Sequence, residues 1–190
     1  MSKLNIIESK LQDVKIIEPV IYSDHRGFFT ESYSKKDYEE QGIDYNFIQD
    51  NHSLSADAGV LRGLHFQKGE FAQTKLIRAV TGAVLDVIVD LRKGSPTYSM
   101  WESYILSESN KRQLLVPKGF AHGFLTLTSN VNFLYKCDNY FNSEADAGIA
   151  FDDPHLAIDW PIDIEKAILS EKDKKHPSFK EFEKKNDFIF

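Results

Sequence analysis

A single cysteine, Cys137, stands among 190 residues, so the chain closes no internal disulfide and builds no cysteine-based zinc site. Its place in the apolar run after Tyr135 suits a buried structural thiol better than a nucleophile. Long apolar runs are missing too. The longest, AVLDVIV at 83–89, is interrupted by Asp86 and falls far short of the roughly 20 residues that span a bilayer. No apolar N-terminal leader is evident, and the expectation is a soluble, cytoplasmic protein. Nor is there a basic excess. The formal net charge of −6 argues against a nucleic-acid groove as the main function, because phosphate binding favours basic patches. A local cluster of arginine and lysine can still hold a small anion. No two histidines form an HxH pair, so the converging ligand set of a metal-dependent oxygenase is not evident.

What is present reads as strands. Hydrophobic content of 42% and charged content of 27% are ordinary for a globular protein, and the length suffices for one core without staples. Runs dense in aromatic and β-branched residues predict strands at 14–22, 28–33, 47–54, 59–67, 75–80, 83–91, 100–106, 113–116, 123–127 and 132–140. Turn chemistry separates them, as in Asp24-His25-Arg26-Gly27, Thr81-Gly82, Lys93-Gly94-Ser95-Pro96 and Pro117-Lys118-Gly119. A short helix is predicted at 35–41, capped by Ser34 and ended by Gly42. A helical tail is predicted at about 178–190. Many short strands and few helices imply an all-β antiparallel sandwich or barrel, and residues 1–190 read as one domain with a peripheral helical tail.

Two histidines lie in strand-like runs, His65 in RGLHFQ (62–67) and His122 in GFAHGF (119–124). A histidine in a buried strand is satisfied by a partner or used for proton chemistry, and spacing alone leaves both readings open for His65. Strict alternation puts His65 and Arg62 on opposite faces, with Gly63 between them as the place where a bulge could re-aim one side chain. Lys75 begins a strand after a loop, where a cation can face an anion or a developing enolate, although an isolated lysine is more simply a surface residue. Asp86, inside the most apolar run, needs a partner, and a lysine or histidine across the sheet is the natural one. Tyr135 shares a face with Phe133 and Cys137 and is, taken singly, an ordinary core or rim tyrosine. Lys172 and Asp173, in LSEKD, read locally as solvated loop residues.

Together these blocks carry more. The ordered set DHRGFFTESY, FIQDNHS, GVLRGLHFQ, QTKLIR, GAVLDVIVDLRKGSPTY, NKRQLLVPKGFAHGF, FLYK, FDDPHLAIDW and LSEKD closely resembles the dTDP-4-dehydrorhamnose 3,5-epimerase family, from about residue 11 to about 177. The resemblance implies a cupin-type jelly roll that uses no metal or redox cofactor. It also implies a homodimer whose N-terminal strands contribute to the partner subunit. The implied activity inverts C3 and C5 of dTDP-4-dehydro-6-deoxy-D-glucose, both carbons lying α to the C4 ketone, to give dTDP-4-dehydro-L-rhamnose.

Carried over by position, His65 resembles the general base, Asp173 the carboxylate that pairs with it, and Tyr135 the acid on the opposite face of the sugar. Lys75 and His122 are similar to residues that hold the ketosugar and favour its enolate. Arg62 and Arg26 resemble diphosphate contacts, and Phe28, Glu31, Gln49, Asn51 and Lys172 match further ligand-contacting positions, some of them expected from the neighbouring subunit. Two positions depart from the pattern. Phe141 stands where a tyrosine or tryptophan commonly stacks on thymine, and Asp146 where a glutamate is common. The competing readings are an epimerase acting at C3 only or C5 only, a metal-dependent cupin, and a non-catalytic nucleotide-sugar-binding cupin.

Overall fold

The computed structural model describes residues 3–185. Thirteen strands carry the fold: β1 (Leu4–Glu8), β2 (Lys15–Pro19), β3 (Tyr22–Asp24), β4 (Gly27–Phe29), β5 (Gln49–Ser55), β6 (Leu61–Gln67), β7 (Lys75–Thr81), β8 (Ala83–Asp90), β9 (Trp101–Ser107), β10 (Gln113–Val116), β11 (Phe120–Thr126), β12 (Val131–Cys137) and β13 (Asp146–Gly148). Helix α1 (Lys35–Glu39) follows Ser34, whose side chain accepts from the Asp37 N–H, and α2 (Phe179–Lys185) comes near the C-terminus. The remainder of the expected tail, 186–190, lies outside the described residues. Strands β1-β2-β10-β7-β12-β5 form a six-stranded sheet, β13-β6-β11-β8-β9 a five-stranded one, and β3-β4 a separate hairpin. All pairings between these strands are antiparallel. Among the described residues, no helix is long and apolar enough to cross a membrane.

The sheets face each other over one core and are covered on their outer faces by two more. Ile16, Ile77, Ala79, Leu114 and Phe133 of the six-stranded sheet meet Val84, Ile88, Leu106, Phe120 and Phe124 of the five-stranded one. The outer face of the five-stranded sheet presents Leu61, Leu64, Phe66, Val87, Val89, Ala121 and Leu125 to Ile149, Phe151, Leu156, Trp160, Phe179 and Phe182. Apolar residues on both faces explain why β8 reads as an almost unbroken hydrophobic run. The helix expected near the C-terminus is α2, which lies on the outer face of the five-stranded sheet with Phe179 and Phe182 buried in this third layer. Over the six-stranded sheet, Tyr38 and Ile43 from the α1 region pack on Leu4, Ile17, Leu76 and Leu115.

Four other expectations change. The strands β1 and β13 have no counterpart in the sequence reading, because each is short and breaks up its apolar residues. The strand expected at 28–33 ends at Phe29. The one expected from 123 begins at Phe120, which places His122 inside β11. Strict alternation also fails along β6. Its register with β11 runs His65↔His122 and then Arg62↔Phe124, so three steps on β6 oppose two on β11. This bulge resets the alternation, and Arg62 and His65 line the same cavity while Leu61 and Leu64 share the outer core.

The bulge rests on two glycines packed backbone to backbone. Gly63 has φ +134°, and a Cβ there would lie 2.5 Å from Gly123 Cα. A Cβ on Gly123 would lie 2.8 Å from the Arg62 carbonyl oxygen. Replacing Gly63 by alanine combines a disfavoured φ with a backbone clash. Gly63→Ala is expected to lower unfolding free energy by roughly 2–4 kcal/mol, measured by urea denaturation; a loss below about 1 kcal/mol would show that β6 and β11 separate freely.

Candidate active site

The inward-facing positions of the sandwich change character across the sheets. Toward β2, β9 and β10 they are apolar and filled; toward β5 and β6 they become polar and open onto a cavity of about 520 Å³. Its floor is the stacked pair Phe124 and Phe133, with ring centroids 4.2 Å apart. Around it stand Arg62, His65, Lys75, His122, Tyr135, Lys172 and Asp173. A second cavity of about 180 Å³ shares His65, Lys75, Tyr135 and Lys172 with the first and adds Gln49, Asn51, Phe141 and Asp146.

His65 Nε2 lies 2.5 Å from Asp173 Oδ1. Burial pushes the Asp173 carboxyl upward, but the His176 and His65 rings beside it override this and hold it well below the usual carboxylate range. An ionised Asp173 accepts the Nε2–H of His65, which assigns the tautomer and leaves the lone pair on Nδ1. Burial sets the His65 imidazole below its ordinary value, against the upward pull of Asp173. His65 is therefore an imidazole biased toward its neutral form and held in one orientation.

A second imidazole–carboxylate pair lies beside the first. His122, opposite His65 in the β6–β11 register, places Nε2 2.8 Å from Asp86 Oδ2. Burial pushes the Asp86 carboxyl up, and His122 opposes it. This is the partner across the sheet that an acidic residue in β8 required. Asp86 Oδ1 is buried without a hydrogen-bond partner, and Oδ2 fixes the His122 ring.

Lys75 and Tyr135 come from the opposite wall. Lys75 Nζ lies 5.9 Å from the Tyr135 ring centroid. Burial pushes the Lys75 ammonium below its ordinary range, while Cys137, Asp146 and Asp86 pull it back up. Cys137, opposite Lys75 in the β7–β12 register, is fully buried with its thiol pushed up to about 11, chiefly by burial. Burial likewise raises Tyr135, so its hydroxyl keeps its proton through the neutral range.

Arg62 is tethered by Nε to Ser55 Oγ and by Nη2 to the Leu54 carbonyl, both at 3.3 Å, leaving the rest of its fork toward the cavity. Gln49 donates to Asn51 Oδ1 at 3.2 Å and accepts the Phe141 N–H at 3.0 Å, which fixes the backbone beside the exposed Phe141 ring. Asp146 pairs with Lys172 across the second cavity.

Three expected residues lie elsewhere within the chain. Arg26 clasps Asp24 of its own hairpin, Glu31 pairs with Lys3 at 2.6 Å, and Phe28 stacks under Lys111. None of the three borders either cavity.

The sequence reading missed His176, whose ring packs edge-on against His65 with centroids 5.2 Å apart. A histidine in the charged run EKDKKHP carries no local signal of burial. His65, Asp173 and His176 also bring three ligand-type atoms within 4.8 Å of one another. The 2.5 Å His65–Asp173 contact is shorter than the separation of two ligands on one zinc ion, about 3.3 Å for bonds near 2.0 Å. As arranged, it is a proton-sharing pair.

The family model for dTDP-4-dehydrorhamnose 3,5-epimerase matches residues 8–181. The curated dTDP-4-dehydrorhamnose 3,5-epimerase of Escherichia coli K12 is 49% identical over 173 residues, 90% of this chain and 92% of that protein. A crystal structure of the Bacillus anthracis dTDP-4-dehydrorhamnose 3,5-epimerase with TDP and PPi bound is 53% identical, with TM-score 0.90 over 93% of this chain and 99% of that one. A Legionella pneumophila dTDP-6-deoxy-D-glucose-3,5-epimerase in complex with dTDP-4-keto-L-rhamnose is 47% identical, with TM-score 0.92 over 98% of each chain. With its jelly-roll sandwich and its imidazole-lined interior, the chain belongs to the dTDP-4-dehydrorhamnose 3,5-epimerase family.

Proposed function

We propose that the chain converts dTDP-4-dehydro-6-deoxy-D-glucose to dTDP-4-dehydro-L-rhamnose, with His65 as base and Tyr135 as acid. The observation that carries this reading is their origin in opposite sheets. His65 stands on β6 of the five-stranded sheet and Tyr135 on β12 of the six-stranded one, and both border one cavity. A sugar ring held between them meets a base on one face and an acid on the other, which is what inversion at carbon requires.

The C4 ketone makes the protons at C3 and C5 removable. His65 Nδ1 takes one, the electron pair passes to the C4 oxygen as an enolate, and Tyr135 returns a proton from the far side. Lys75 and His122 stabilise the oxyanion, the first by charge and the second through a ring fixed by Asp86. Both carbons flank C4, so one base and one acid serve both centres, once His65 has released its proton to water and Tyr135 has taken one back. Arg62 takes the diphosphate as a guanidinium fork, and the Phe141 ring stacks on thymine. Asp146 and Lys172 close the site beside them.

The oligomer follows from the hairpin. Tyr22, Phe28 and Phe29 of β3-β4 are all more than half exposed, and a projecting apolar hairpin calls for a covering surface. We take that surface to be a second copy of the chain, with Arg26, Phe28 and Glu31 reaching the neighbouring cavity and Gln49 and Asn51 serving their own. Residues 1–190 act as one jelly-roll unit in the cytoplasm. A nucleotide diphosphate does not cross a bilayer unaided, and we take the cytoplasm to be where this substrate is made.

In deuterated water with dTDP-4-dehydro-6-deoxy-D-glucose, deuterium is expected at both C3 and C5 by NMR, with none in His65→Ala. Tyr135→Phe should slow epimerisation on the order of 10²–10⁴-fold with nucleotide affinity nearly unchanged. Label at one carbon only would replace the double reaction by a single one, and binding without exchange would leave a binding module.

The acid limb of kcat/KM should fall below the ordinary imidazole value of 6.5, because protonation of His65 silences the base and burial delays it. Asp173→Asn removes the charge that holds His65 up. Its limb should move lower still while the rate drops about 10³-fold; a limb moving upward would contradict the assigned dyad.

The dimer has its own test. Arg26→Ala and His65→Ala chains, each nearly inactive, should regain about a quarter of wild-type activity when mixed and reassorted, since half the dimers then hold one intact site. No regain would place Arg26 in its own chain's chemistry or outside it altogether.

A further inference from the structure

We infer that His176 is a positioning residue for proton abstraction: its ring is the second clamp on Asp173 Oδ1 and holds that carboxylate, and through it His65, in the working orientation. The inference rests on His65 being the base. Asp173 Oδ1 faces two imidazole nitrogens, His65 Nε2 at 2.5 Å and His176 Nε2 at 3.4 Å. The His176 side chain is only 7% exposed, and its Nε2 is buried with no hydrogen-bond partner as placed. A buried imidazole N–H left without a partner is costly, and the nearby carboxylate oxygen is an acceptor it can close upon when the substrate tightens the site.

The surroundings are cut to admit this ring. At Gly148 of β13, a Cβ would lie 2.4 Å from His176 Cε1 and 2.5 Å from its Nε2, and equally 2.5 Å from the Leu64 carbonyl oxygen of β6. Gly148 is also the register partner of His65 on the edge of β6. The segment carrying both Asp173 and His176 is pinned at each end. Leu61 donates to the Ile168 carbonyl at 3.0 Å, and Ala150 donates to the Pro177 carbonyl at 2.8 Å. Within it, Asp173 N–H bonds Ser170 Oγ at 3.1 Å, which fixes the backbone but leaves the carboxylate free to turn. The His176 ring, edge-on to His65 and outside the lining of either cavity, takes up that freedom.

A clamp differs from filler in what it does to His65. The charged and titratable groups around His65 are Asp173 and His176 on this segment, Arg62 on β6 itself, Lys75 on β7, His122 on β11, Tyr135 on β12, Asp146 on β13 and Lys172 at the rim. Burial is the main force lowering the His65 value, and His176 and Lys75 lower it further while Asp173 raises it. Removing the His176 ring takes away one lowering neighbour and one competing donor on Oδ1. Both changes bind the His65 proton more tightly, so its titration moves up.

The test uses the full chain with dTDP-4-dehydro-6-deoxy-D-glucose. His176→Phe keeps a ring in the slot and deletes the donor, and His176→Gln keeps a donor. In His176→Phe, kcat is expected to fall on the order of tenfold with KM within twofold, and the acid limb of kcat/KM to move upward. His176→Gln should recover most of the rate. The His65 ring, titrated by NMR in the free enzyme, should move upward in His176→Phe whatever the activity, so this arm reports on the clamp even where the epimerase reading itself fails. Unchanged His65 titration in folded His176→Phe would overturn the inference. So would a rate loss that His176→Gln does not relieve, because that is the signature of packing alone.

Discussion

The close approach of β6 and β11 at Gly63 and Gly123 is the constraint on which the site depends. Without it, β6 would keep its two-residue period, and Arg62 and His65 would point into different layers. With one extra residue opposite β11, both face the cavity while Leu61 and Leu64 fall together into the outer core. The strand thereby satisfies two demands that simple alternation sets against each other. It supplies apolar side chains to the layer beneath α2 and polar ones to the interior. No residue with a Cβ fits either half of the contact, so two glycines hold the geometry that a side chain cannot.

Burial then sorts the protonation states. His65, Lys75, Asp86, Tyr135 and Cys137 are each moved toward the neutral form, with desolvation the largest cause in every case. Asp173 alone goes the other way, because the rings of His65 and His176 outweigh its burial. A neutral imidazole, a protonated phenol and one dependable carboxylate are the set that proton transfer needs near neutral pH. The fold reaches it by placing the Asp173 carboxylate beside two imidazoles and leaving His65 and Tyr135 to the low dielectric.

The sequence carried the strands, and most of the interior faces, because period-two patterning is a local signal. Phe133, Tyr135 and Cys137 share a face in both readings, and Asp86 in an apolar run announced that it required a partner, found in His122. Residue type at Gly63 marked the place of the bulge without saying which side chain it would turn. Asp173 had no local signal at all. Its position is set by packing far from itself, where Phe179 and Phe182 anchor the C-terminal segment on the outer face of β6 and carry residues 168–177 across the cavity edge. Only the motif LSEKD, through family resemblance, marked it, and His176 lay outside that motif. Arg26, Phe28 and Glu31 have the opposite difficulty: their sequence signal is strong, but a single chain leaves them on an exposed hairpin.

Facing sheets lie about 10 Å apart, close to the thickness of a sugar ring with a catalytic side chain above and below it. That spacing explains why a sandwich interior suits inversion. Two facing walls keep base and acid apart, each wall rigid in its own hydrogen-bonded sheet. The interior strand positions near the opening are taken by His65, Tyr135, Lys75, His122 and Arg62, so the carboxylate that orients His65 comes from outside the sheets. It comes on a segment crossing the edge of β6, and that segment needs Gly148 on β13 to let it close. A fold that sets His65 and Tyr135 in hydrogen-bonded sheets leaves the orientation of His65 to a loop, and the loop is tied down at both ends.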